Sequence, residues 1–162
     1  MAHGLSRDNI PNSVTRMPNG QYPRNAQYAG KTFDVVGDGP RAVQARAEGF
    51  TEVNFRSDGS IDLDPHIYHP DGVTSGEQWV PVNSGNPAQD IRIADQQAGI
   101  SNSYRRADGN PTGNALTWHH DNITRTNPVS GATEGRMILV PWSLHSAVGH
   151  NGGASTWTMG YF

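Results

Sequence analysis

Apolar positions in this chain come in short runs, cut apart by glycine, proline and asparagine. The densest run is Met137-Ile138-Leu139-Val140, four apolar residues in succession, which predicts a strand buried on both faces. Pro141 follows, and proline is tolerated in a first helical turn. Trp142 to Val148 then predicts a short helix, with Gly149 and Gly152-Gly153 as stop signals. Upstream, Ala115-Leu116-Thr117-Trp118 predicts another short strand. The stretch from Asp121 to Gly135 is rich in Asn, Thr, Pro and Gly and reads as a surface excursion. The C-terminal third is therefore strand, loop, strand, helix.

The same reading gives the earlier elements. Lys31 to Val36 predicts a strand ended by Gly37-Asp38-Gly39-Pro40, and residues 41–48 predict a helix closed by Gly49. Thr51 to Arg56 and Ile61 to Leu63 flank Ser57-Asp58-Gly59-Ser60, a hairpin signal. Trp79 to Val82 predicts a strand. Asp90 to Gly99 predicts an amphipathic helix, entered by a turn at Asn86-Pro87, with Ile91, Ala94 and Ala98 on one face. That helix is expected to be scaffold packed on the C-terminal strands. Residues 101–114 read as a polar loop. Residues 1–24 show no periodicity and read as a lead-in, or a junction to a larger protein; residues 25–162 form the domain proper.

Composition narrows the class. With 162 residues the chain is long enough for one domain with its own core. Hydrophobic residues make up 34%, beside 19 Gly and 11 Pro, which predicts a loop-rich α+β fold rather than a helical bundle. Without cysteine, neither disulfides nor thiolate chemistry are available. No apolar run approaches the ~20 residues of a membrane span, and the first residues lack the apolar region of a signal peptide.

The net charge of −3 is unevenly spread. The first 100 residues carry 8 basic and 12 acidic side chains, the remainder 4 and 3. Lys31 is the only lysine among the 12 basic residues, and the arginines favour bidentate phosphate contacts. Weak non-specific affinity for nucleic acid is the expectation, with a few arginines supplying it.

Four of the 7 histidines fall in the last third: His119, His120, His145 and His150. Neighbours on a strand face opposite ways, so His119 and His120 separate if the strand runs through them. His145 and His150 lie five residues apart, about 140° off register on an ideal helix. Sharing one site therefore requires a break near Gly149, which glycine permits. Three imidazoles suffice to hold a divalent ion and a fourth to deprotonate water; imidazole suits Zn, Ni, Cu and Fe. His66 and His69, between Pro65 and Pro70, read either as a second metal pair or as surface histidines of a proline-bounded loop. The loop reading is preferred because no third ligand is near in sequence.

These residues carry a resemblance. Leu116-Thr117-Trp118-His119-His120, then Leu139-Val140-Pro141 with Leu144-His145, then His150 with Gly152-Gly153, resemble the WHH family of HNH/endonuclease VII (His-Me finger) nucleases. Tyr28 to Lys31, Ser60 to Pro65, and Ser84-Gly85-Asn86 through Asp90 to Ala98-Gly99 are similar, in order, to the segments preceding the double histidine in such domains. The resemblance spans about residues 25–153 and is strongest at the end. It implies a ββα-metal finger at about 115–153. His119 and His145 would be metal ligands, His120 the general base, and His150 a further ligand or phosphate contact. Mg, Mn, Ni and Zn all stay open as the ion.

The resemblance also implies a metal-dependent endonuclease, with DNA favoured over RNA as substrate. Such domains are bacterial toxin effectors carried by a larger delivery protein upstream and acting in the target cell's cytoplasm. A cognate immunity protein is then expected, and no membrane partner. Arg136, Arg105 and Arg106 are candidate phosphate contacts. Two departures stand out. Many HNH enzymes orient the base with an asparagine on the second strand, where this chain has Arg136 and Met137. The 121–135 loop is longer than the family pattern. Two rival readings are a ribonuclease on the same finger and a non-catalytic metal-stabilised module with a closed site.

Overall fold

The computed structural model describes residues 9–153 and Trp157. Two three-stranded antiparallel sheets organise it. The first has β2 (Glu52–Phe55) between β1 (Thr32–Asp34) and β3 (Ile61–Asp62). The second has β6 (Thr133–Pro141) between β4 (Glu77–Pro81) and β5 (Leu116–Thr126). Among the described residues, three α-helices accompany them: α1 (Pro40–Ala47), α2 (Pro87–Ala98) and α3 (Trp142–Ala147). This is the α+β architecture the sequence predicts, and no helix among the described residues is long and apolar enough to cross a membrane.

Local chemistry sets the element boundaries. The Asn86 side chain accepts hydrogen bonds from the Ala88 and Gln89 amides, and Pro87 occupies the first turn. The cap starts α2 three residues ahead of the predicted Asp90, and Gly99 ends it at φ 70°. In the β2–β3 hairpin, Asp58 Oδ1 accepts from the Ser60 amide at 2.9 Å. At the C-terminal end, α3 follows β6 with no intervening loop, Pro141 being both the last strand residue and the helix N-cap. The helix stops at Ala147, one residue before the predicted Val148, which is extended.

The excursion expected over 121–135 is corrected by the structure to a β-hairpin. β5 continues to Thr126, and Thr124, Arg125 and Thr126 pair with Gly135, Glu134 and Thr133. The turn residues that suggested a loop are concentrated between Asn127 and Gly131, while Ile123-Thr124-Arg125-Thr126 is mostly β-branched and suits a solvated strand. A register shift lies between His120 and Thr124.

Strand β6 is buried on both faces, as its apolar run requires. Ile138 and Val140 join Val35, Val53, Phe55, Ile61, Leu63 and Leu144 in one core. Met137 and Leu139 join Val80, Ala94, Leu116, Trp118 and Trp157 in the other, under α2. The second sheet is thus the middle layer, with α1, α3 and the first sheet on one side and α2 on the other. Replacing Met137, Ile138, Leu139 or Leu144, all fully buried, by alanine costs about 2–5 kcal/mol.

The segment expected as a lead-in is described from residue 9 onward; residues 1–8 lie outside the described residues. From there to residue 24 it lies against the domain. Val14 packs with Ala26 and Ala29, and Ser13 Oγ donates to Ser57 O.

Candidate metal and hydrolytic site

Strand alternation separates the two adjacent histidines. On β5, His119 pairs with Ile138 and His120 with Met137. His119 therefore faces α3, and His120 faces α2. Both still line one cleft of about 550 Å³, together with Trp118, His145, His150, Gly152, Arg24 and Arg41.

On the α3 side, three imidazoles converge. His119, His145 and His150 each offer a ligand atom, all within 4.8 Å of one another. His145 Nε2 lies 3.2 Å from His119 Nδ1. Two nitrogens each about 2.05 Å from a tetrahedral divalent ion stand roughly 3.3 Å apart, so the spacing fits a shared ion. His145 comes from the last turn of α3. His150 comes from the loop beyond, where the helix has already ended, which resolves its mismatch with His145 in helical register. The Nδ1–H of His150 donates to Val148 O at 2.7 Å, leaving Nε2 as the ligand atom.

The electrostatics of the triad favour the neutral, metal-binding form. Burial pushes His119 well below the ordinary imidazole range, aided by His145 and His150. Burial also lowers His145 to about 3, with further repulsion from His150 and His120. His150 is lowered by burial and by the charge of Arg24, against the opposing hydrogen bond to Val148. Three imidazoles packed this closely could hold a divalent ion of the kind imidazole suits, such as Zn, Ni, Cu or Fe.

Glycines let the ligand loop close over the strand. A Cβ on Gly152 would stand 2.7 Å from the His120 carbonyl oxygen, and one on Gly153 would collide with the Asp121 carbonyl. On the other side, the Arg24 guanidinium lies over Gly149, 2.5 Å from where a Cβ would be. The Arg24 amide donates to Asn151 Oδ1 at 2.6 Å, and Asn25 Nδ2 donates to Gly149 O at 2.5 Å.

On the α2 side, His120 Nε2 lies 3.1 Å from Asp90 Oδ2. Asp90 is fully buried, and its Oδ1 accepts from Ser84 Oγ at 2.7 Å. Bonding through Nε2–H leaves the lone pair on Nδ1. The Trp157 ring packs beside His120 at 5.2 Å between centroids, and its Nε1 donates to Asp121 O. Trp118 is packed under the same helix, donating from Nε1 to Asp95 Oδ1 at 2.6 Å. Sequence reasoning placed α2 as scaffold and missed Asp90. The available signal was charge on a buried face: Asp90 and Asp95 share the stripe of Ile91, Ala94 and Ala98.

The predicted phosphate-binding arginines sit elsewhere. Arg136 is enclosed by carboxylates, donating to Asp64 Oδ1 at 2.6 Å, Glu77 Oε2 at 2.7 Å and Asp121 Oδ2 at 2.8 Å. Burial opposes its charge, but these hydrogen bonds outweigh burial and raise it above the usual guanidinium range. Arg56 binds the opposite edge of Asp121 at 2.7 Å. Arg105 pairs with Asp95 at 3.4 Å, and the exposed Arg106 faces Asp108 at 3.8 Å. None of the three lines the histidine cleft. His66 packs edge-on against Phe50, and His69 Nδ1 accepts from the Gly76 amide. Among the described residues neither joins a group of three metal-ligand side chains.

Comparison with known families adds one finding. Residues 110–160 match the model of the family described as WHH, a nuclease of the HNH/ENDO VII superfamily with conserved WHH. No curated protein matches the chain significantly.

Proposed function

We propose that this chain, whose residues 110–160 belong to the WHH family of HNH/endonuclease VII nucleases, is a divalent-metal-dependent endonuclease that hydrolyses phosphodiester bonds, with DNA as its substrate. The observation that carries the reading is the division of labour across β5. His119 faces two further neutral imidazoles, and the next residue, His120, is tethered through Nε2 to a buried carboxylate.

His119, His145 and His150 would hold the ion. When bound, it supplies Lewis-acid stabilisation of charge on the phosphate and the leaving oxygen. His120 Nδ1 takes a proton from water as the water oxygen attacks phosphorus; the new P–O bond forms as the bond to the leaving oxygen breaks. Asp90 keeps the proton of His120 on Nε2 and stabilises the imidazolium once Nδ1 is protonated. A toxin role, with a delivery protein upstream and a cognate immunity protein, is supported by the resemblance of residues 25–153 to toxin nuclease domains.

The test is plasmid nicking by purified protein with Mg, Mn, Ni and Zn in turn. EDTA and His120→Ala serve as controls, and an RNA substrate runs in parallel. Metal-dependent DNA cleavage lost in both controls is the expected result. RNA-only cleavage would change the substrate. Tight metal binding without cleavage of either polymer would overturn the hydrolase in favour of a structural metal site.

A further inference from the structure

The cleft holds two cations that the histidine chemistry leaves unused. Arg24 and Arg41 both line it, and both come from the N-terminal part of the chain, outside the family-matched segment. Arg41 stands in the first turn of α1. The cleft continues past it into a second cavity of about 370 Å³, walled by Val36, Gly39, Ser146 and Ala147.

These two arginines differ from most others in the chain. Arg56, Arg105, Arg106, Arg125 and Arg136 are all in ion pairs with carboxylates. Arg16 and Arg46 donate to backbone carbonyls. The guanidinium groups of Arg24 and Arg41 make no ion pair or hydrogen bond among the described residues. Arg24 is nevertheless held in place, since its side chain crosses Gly149 and its backbone is tied to Asn151. Lys31 and Arg92 are likewise exposed without an ion pair among the described residues, but neither lines the cleft.

We infer that Arg24 and Arg41 form a backbone-phosphate clamp for the nucleic acid, with Arg24 beside the ligand loop and Arg41 along the continuing groove. The inference rests on the nuclease reading and deepens it. The clamp places the polymer by charge, since guanidinium forks match phosphate oxygens bidentately. It also makes the working site composite: the finger supplies chemistry, and the segments around residues 24 and 41 supply grip. Nothing in the clamp reads bases, so it predicts binding that is strongly salt-dependent and weakly sequence-dependent.

The test measures binding separately from cleavage. Full-length His120→Ala protein is titrated with a fluorescent DNA duplex over a range of salt, alone and with Arg24→Ala, Arg41→Ala or both. Each substitution is expected to weaken binding about tenfold and to reduce the slope of log K against log salt by about 1. Lysine at either position should restore part of the affinity. Arg92→Ala, an exposed arginine away from the cleft, should change nothing. Nickel affinity, measured by calorimetry, should stay within about twofold of the parent, showing that the triad is intact. An unchanged duplex affinity and salt slope in the double variant overturns the clamp, as does an absence of duplex binding in the parent. Arginine-dependent binding by a wild-type chain that cleaves nothing with any ion would keep the clamp and remove the hydrolase.

Discussion

Asp90 Oδ2 lies 3.1 Å from His120 Nε2, and five residues further along α2, Asp95 Oδ1 lies 2.6 Å from Trp118 Nε1. The spacings match. Two residues of strand span about 6.8 Å, and five residues of helix rise about 7.5 Å. One helix therefore grips alternate residues of the Trp-His-His motif with two carboxylates, running antiparallel to the strand. In the proposed mechanism Asp90 would take the place of the base-orienting asparagine expected on the second strand, where this chain has Arg136 and Met137.

Asp90→Asn should accordingly lower kcat about 10- to 100-fold with KM nearly unchanged, the usual cost of losing a supporting partner. Metal affinity should not move, because Asp90 is on the opposite face from the triad. Steady-state kinetics and calorimetry on one preparation decide it. A loss confined to KM, or a parallel loss of metal binding, would assign Asp90 a purely structural role.

Removing a ligand should behave differently. His145→Ala deletes the imidazole 3.2 Å from His119 and should weaken metal binding by at least about tenfold, with cleavage falling alongside. His120→Ala should leave metal affinity intact and abolish cleavage. Equal metal affinities for wild type and His145→Ala would take His145 out of the ligand set.

Acid should destabilise the metal-free protein in a defined window. His145 is lowered to about 3 in the folded chain and returns to about 6.5 when unfolded. Between those values the unfolded state binds more protons, so stability rises with pH. The contribution is complete above about 6.5 and is lost as pH falls toward 3. His119 and His150, also lowered, add in the same direction. The Tm of EDTA-treated protein should fall steadily below pH 6.5, and His145→Ala should flatten that fall.

Arg136 was expected at phosphate, yet its guanidinium is shared among Asp64, Glu77 and Asp121. Asp121 is fully buried and also binds Arg56. Removing that carboxylate takes a charged partner from both guanidinium groups, which keep Asp64 and, for Arg136, Glu77, so Asp121→Asn should cost roughly 1.5–3 kcal/mol. Urea unfolding measures it. Arg136→Gln should likewise lower stability more than it raises KM; the reverse ordering would return Arg136 to the substrate.

Gly152→Ala probes the closure of the ligand loop. The added methyl meets the His120 carbonyl at 2.7 Å, and that oxygen belongs to a paired strand that gives little. The loop must lift instead, taking His150 with it, so metal affinity and rate should drop together. Wild-type values for both would show that the loop is free to shift.

Much of this site is legible in the sequence. Four successive apolar residues required a strand buried on both sides, and Ile138 and Met137 do enter different cores. Alternation required His119 and His120 to part, and Gly149 marked where the helix had to end before His150. What stayed hidden was long-range. Asp90 is 30 residues from its histidine, Arg24 is 127 from Asn151, and Arg136 is 59 from Glu77. Local periodicity cannot say which arginine finds a carboxylate and which is left to face a cleft. The hairpin was misread for a simpler reason: a few turn residues at Asn127 to Gly131 dominated the composition of a stretch whose other residues favour strand.

The direct junction between β6 and α3 limits when the histidine cluster can form. With no loop at Pro141, His145 keeps a fixed bearing on the sheet only after β6 has entered between its two neighbours. The remaining parts of the centre arrive from β5, the ligand loop and α2, so its assembly is a high-contact-order event. A chain still threading, stretched or held by a chaperone has no assembled histidine cluster, and under the proposed function hydrolytic competence would begin only when folding is nearly complete.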